Sequence, residues 1–173
     1  MKVAQTQTNP VGSCARATTA HEMRFRIQRP IAGRRGTRVV ALDAGADVIV
    51  DAIATQSWGA SRFFTLVDPA PSAAVYGPEL VLLRGSDGQS SRLSDELADA
   101  DVVVMIGTVD SDGTAASLIG AACSVRGITT AGLIVGDPRE VGATVSQLRA
   151  HARVLLTTTD EQDVSEVLMA LRA

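Results

Sequence analysis

The run Val102-Val103-Val104-Met105-Ile106 is uncharged, rich in β-branched side chains, and the most hydrophobic stretch of the chain. A strand of this kind has to be covered on both faces, which places it at the centre of a sheet that carries helices on both sides. Shorter apolar runs recur at 38–42, 62–67, 80–83, 129–135 and 154–158, and segments with helical character lie between them at 46–57, 91–98, 114–125 and 138–150. Local signals punctuate the same alternation. Gly127 follows the helix of 114–125 in the usual C-terminal position, Pro138 stands at a helix start, and Asp160 caps a last helix in which Val164, Val167, Leu168 and Leu171 share a face. The expected architecture is α/β, a three-layer doubly wound and mostly parallel sheet over residues 37–173 with right-handed crossovers.

With 173 residues, one domain plus an arm is the economical organisation. Aromatic residues make up only 3% of a chain that is 46% hydrophobic, so the core has to be assembled from Val, Leu, Ile and Ala. No apolar run approaches the roughly 18 residues of a membrane span, and none is expected. Cys14 and Cys123 suggest neither a disulfide framework nor zinc spacing, which fits a reduced, cytoplasmic setting.

The formal charge of −3 hides an asymmetry. Residues 1–38 hold Lys2, Arg16, Arg24, Arg26, Arg29, Arg34, Arg35 and Arg38 against Glu22 alone, a net of +7, and the remainder carries −10. Within this basic N-terminal arm, residues 1–36, Met23, Phe25 and Ile27 alternate with Arg24, Arg26 and Gln28 before Pro30, the period-two pattern of an edge strand or of a pairing element between subunits. Arg24, Arg26, Arg29, Arg34 and Arg35 are therefore the expected contacts to an acidic protein partner or to a second copy. Nucleic acid is disfavoured because the acidic body would repel a duplex.

In an open sheet, ligands bind at the carboxyl ends of the strands. The loop after the first strand holds a single glycine, Gly45, within Asp43-Ala44-Gly45-Ala46-Asp47, so the dinucleotide fingerprint is excluded. The loop after the central strand is small and polar, and Gly107, Thr108, Asp110, Ser111, Gly113 and Thr114 are its candidates for holding an anion through free backbone amides. Against that stands a plainer reading, in which Asp112 or Ser111 caps the helix and the glycines make the turn. Asp137 and Asp160 also have capping roles open to them. The strand ends carry an acidic rim of Asp43, Asp47, Asp68, Asp110, Asp112, Asp137 and Asp160, which repels phosphate but suits Mg²⁺. Lys2 is the only lysine, so neither a Walker motif nor a phosphoacceptor lysine occurs. His151 reads as a cation at a helix end, Cys123 as packing, and no catalytic triad signature is present.

From Ala100 onward the sequence resembles the second half of the nucleotide-binding domain of the tubulin/FtsZ family. The pieces that carry the resemblance are Ala100-Asp101-Val102-Val103-Val104, the loop 107–114, Gly127-Ile128-Thr129-Thr130 and Val154-Leu155-Leu156-Thr157. The family's glycine-rich loop is matched at Gly113 and Thr114, and its first glycine cluster is replaced by the loop 43–47. The resemblance thus implies a Rossmann-like domain in a degenerate, non-hydrolysing form.

Two functions are expected from these readings. The first is a non-catalytic binding or assembly module on a nucleotide-type fold, self-associating or part of a larger complex. The second is a small enzyme or sensor that binds a phosphate-bearing ligand such as a nucleotide at 107–114, with Asp43, Asp110 and Asp112 holding Mg²⁺.

Overall fold

The computed structural model describes residues 36–67, 81–111 and 113–171. The arm with its expected strand and arginines, Asp68 and Asp112 lie outside the described residues. Seven strands form one sheet: β1 (Thr37–Ala41), β2 (Arg62–Leu66), β3 (Leu82–Gly85), β4 (Ser90–Arg92), β5 (Val102–Gly107), β6 (Thr129–Val135) and β7 (Val154–Thr158). Their spatial order is β4-β3-β2-β1-β5-β6-β7. β2, β1, β5, β6 and β7 run parallel, while β3 and β4 are antiparallel to their neighbours. Five described helices accompany them: α1 (Ala44–Ala54), α2 (Leu93–Ala98), α3 (Gly113–Arg126), α4 (Gly142–Leu148) and α5 (Glu161–Ala170).

The strand period sorts the core into two layers. Val40, Phe64, Leu83, Val103, Met105 and Ile134 point to the side covered by α2, α3 and α4. Val39, Ala41, Phe63, Val104, Ile106, Leu133 and Val135 point to the side covered by α1 and α5. This is the expected three-layer α/β arrangement. α1 presents Ala46, Ile49, Val50 and Ile53 to the sheet, an i, i+3, i+4, i+7 stripe, and burying each large member contributes roughly 1.5–3 kcal/mol before conformational entropy is charged.

Local chemistry sets the ends of the elements. Asp43 caps α1, and Asp160 caps α5 by accepting from the Gln162 amide at 2.8 Å. α3 ends in a Schellman turn. Gly127, at φ +67°, donates to the Ser124 carbonyl and Ile128 to that of Cys123. Three expectations need correction, the first being the helix expected from Ser91, which starts only at Leu93 because Ser91 belongs to β4. Pro138 does not open a helix, because the Asp137 side chain accepts from the Arg139 amide and closes a tight turn first, so α4 starts only at Gly142. The strand expected at 80–83 instead spans Leu82–Gly85 and forms a hairpin with β4 around Gly88, which has φ +80°.

Arg38 on β1 and Glu96 on α2, each 5% exposed, meet at 3.2 Å, and Arg62 of β2 donates to both Glu96 oxygens at 2.8 Å. This triad ties α2 to the amino-terminal half of β1 and β2. The Arg38 Nη1 atom is buried without a hydrogen-bond partner. No described helix is long and apolar enough to cross a membrane.

Candidate functional site

The chain winds from β1 outward through β2 to one edge of the sheet and from β5 through β6 and β7 to the other, so the direction of winding switches between β1 and β5. The crevice beyond the carboxyl ends of these two strands is where an open α/β sheet takes a ligand. The loops that meet there are the two singled out in the sequence, 43–47 and 107–113.

In this protein the crevice is bridged by Asp43. One carboxylate oxygen accepts from the Ala46 amide at 2.8 Å and from the Thr108 hydroxyl at 2.9 Å. The other accepts from the Thr108 amide at 2.8 Å and from the Ser111 hydroxyl. Burial acts to raise the pKa of Asp43, but the hydrogen bonds from Ser111, Ala46 and Thr108 outweigh it and hold the carboxyl below its ordinary value. A carboxylate that already takes four donors has its acceptor positions filled from within the protein. Asp43 thus takes one amide at the start of α1, that of Ala46, and one beyond the end of β5, that of Thr108.

The glycines of these loops have internal reasons. A Cβ on Gly45 would stand 3.0 Å from the Thr108 methyl, one on Gly107 would strike the Ser111 hydroxyl, and one on Gly113 would come within 3.0 Å of Gln147 in α4. Each allows two segments of the chain to approach closely. Ser111 is buried and binds both Asp43 and the Thr108 amide. Asp110 is exposed, its amide 3.4 Å from the Thr108 hydroxyl, and Thr114 lies in the first turn of α3. The structure therefore brings Gly45, Gly107, Thr108 and Ser111 together around Asp43, with Asp110 at the rim and Gly113 and Thr114 turned into the start of α3.

Three further members of the acidic rim have partners within the protein. Asp47 accepts from the Thr65 hydroxyl and pairs with Arg84 at 2.7 Å, while Asp137 and Asp160 close a turn and a helix. Among the described residues no group of three or more His, Cys, Asp or Glu side chains is arranged to hold a metal ion. Cys123 is fully buried, and that burial pushes its thiol up to about 11 despite the nearby Arg126. His151 lies beyond the end of α4 rather than at it. Its side chain rests on Gly120 of α3, where an added Cβ would stand 2.6 Å from the His151 Cβ, and its carbonyl accepts from the Thr130 hydroxyl at 2.8 Å.

No protein-family model matches the chain, and no curated protein sequence matches it significantly.

The two loops singled out in the sequence lie side by side at the carboxyl ends of β1 and β5. Asp43, expected to hold Mg²⁺ only if a phosphate-bearing ligand binds here, caps α1 and joins the loops that follow β1 and β5. An Asp directly before a helix was the available signal. Its second role depends on Thr108 and Ser111, 65 and 68 residues away, which local pattern does not reveal.

Proposed function

We propose that this protein is a non-catalytic assembly module, a nucleotide-type fold that works in the cytoplasm through association with itself or with a protein partner. The observation that carries the reading is the carboxylate of Asp43, which lies at the switch point and takes the Ala46 and Thr108 amides there. A phosphate entering there would meet a fixed negative charge and would have to break four hydrogen bonds. The reading suits a degenerate relative of the tubulin/FtsZ nucleotide-binding domain. The surplus of arginines at 24, 26, 29, 34 and 35, set against an acidic remainder, suits a partner of complementary charge.

The alternative, a phosphate-bearing ligand held at 107–114, requires Asp43 to swing away or to recruit Mg²⁺. Native mass spectrometry of the protein released gently from cells separates the two. The assembly reading expects a multimer or hetero-complex without retained small molecules, and a monomer carrying a nucleotide-sized mass overturns it. Titration with GTP and Mg²⁺ should give no saturable heat, whereas micromolar binding would establish the ligand reading.

A further inference from the structure

The two edges of the sheet are unlike. β4 is three residues long and polar, Ser90-Ser91-Arg92, the short and hydrophilic kind of edge that discourages pairing. β7 reads Val154-Leu155-Leu156-Thr157-Thr158, with no charge, proline or glycine, and it is the last described strand on its side. Leu155 packs into the core, whereas Val154 and Leu156 stand on the other face at 53% and 43% exposure. α5 buries Val164 and Leu168 against the sheet but leaves a cavity of about 340 Å³ beside Leu156, walled by Leu133, Val167 and Ala170 and rimmed by Asp163 and Glu166.

No other described strand pairs with the outer edge of β7. The Thr158 carbonyl accepts from the Gly136 amide in the register that pairs Val135 with Thr158, so the period-two alternation turns the amides of Val154 and Leu156 toward β6 and those of Leu155 and Thr157 outward. Charge is distributed unevenly along the strand. Arg149, His151 and Arg153 precede it, and Asp160, Glu161 and Asp163 follow it. Arg153 forms no ion pair among the described residues.

We propose that β7 is the self-association edge, pairing antiparallel with β7 of a second copy about a twofold axis at Leu156. The inference rests on the assembly reading and specifies its surface. In this register Leu156 faces Leu156 of the second copy, and Val154 faces its Thr158. Arg153 then lies opposite Thr159 of the second copy, beside its Asp160, and symmetry repeats the pairing at the other end. A parallel alignment would instead set Arg153 beside Arg153 and Asp160 beside Asp160. Charge complementarity thus selects the antiparallel dimer, whose two sheets join into one and whose Leu156 pair covers the mouth of both cavities.

The test uses the full-length protein in sedimentation velocity, with amide hydrogen exchange followed residue by residue. The wild type should sediment as a dimer, and the Leu155 and Thr157 amides should become protected as concentration rises while those of Val154 and Leu156 stay unchanged. Leu156→Lys should weaken association by about tenfold or more, with the circular dichroism of the fold retained, and Val154→Lys serves as the second variant. A dimer that both variants leave intact, with Leu155 and Thr157 still exchanging freely, overturns the β7 interface and leaves the assembly reading standing. A wild type that remains monomeric at the highest attainable concentration overturns the interface and self-association together, leaving the assembly reading only a different protein as partner.

Discussion

Asp43 and Thr108 close the top of the sheet between them. The Asp43 carboxylate, two residues beyond β1, accepts from both the amide and the hydroxyl of the residue that follows β5, at 2.8 and 2.9 Å. The same carboxylate starts α1 by accepting from Ala46. One side chain therefore serves as a helix cap and as a clamp between neighbouring parallel strands, at the position where related architectures leave room for a ligand.

Replacing Asp43 with Ala should destabilise the fold by about 2–3 kcal/mol, combining the loss of a helix cap with an unsatisfied Thr108 amide. Urea denaturation is the measurement. The midpoint should fall with the slope unchanged, and a midpoint equal to that of the wild type would show that the clamp carries no stability.

The same residue sets a pH dependence. Burial works against its ionisation, but the donors from Ser111, Ala46 and Thr108 prevail and depress the folded pKa. A depressed folded value means that the stabilisation is complete above the ordinary carboxylate pKa of about 3.9 and is lost as pH falls through the folded value. The stability gap between the wild type and Asp43→Asn should accordingly be constant from neutral pH down to about pH 5 and narrow below about pH 4. Paired urea titrations across that range would record it, and a gap that widens in acid would contradict the sign.

Glu96 is the sole described ion-pair partner of the buried Arg38. Glu96→Ala strands that guanidinium in the core and should cost about 3–5 kcal/mol. The double variant Arg38→Met with Glu96→Leu removes both charges and should recover most of the loss, because an apolar pair of similar volume needs no compensation for desolvation. Failure of the double variant to recover would place the damage in packing rather than in the unpaired charge.

Cys123 should resist thiol reagents in the native protein at pH 8, since its thiol is buried and its pKa is pushed up to about 11. In a Cys14→Ser background, modification should appear only in step with global unfolding in urea. Rapid labelling without denaturant would mean that α3 opens locally.

Much of the architecture was open to reading from the linear chain. The strand at 129–135 and the one at 154–158 fall where apolar, β-branched runs predict them, and Gly127 and Asp160 act as the caps their residue types suggest. These features depend on neighbours within a few residues, where side-chain period and backbone preference act directly. The site was legible as a place, through the switch-point rule applied to two loops, but not as an arrangement. Asp43, Asp47 and Asp137 look alike in the sequence, and their partners separate them: Thr108 and Ser111, Arg84 and Thr65, and the Arg139 amide.

By itself, then, the sequence determined the type and succession of every described element except β4, because the alternation of buried and exposed positions is written locally and each period suits one backbone geometry. Only the tertiary structure decided that β3 turns antiparallel, that Arg38 meets Glu96 58 residues away, and that Asp43 fills the crevice between β1 and β5. Those outcomes follow from strand register and sheet order, which arise from the simultaneous packing of distant segments and leave no mark on any one stretch of the chain.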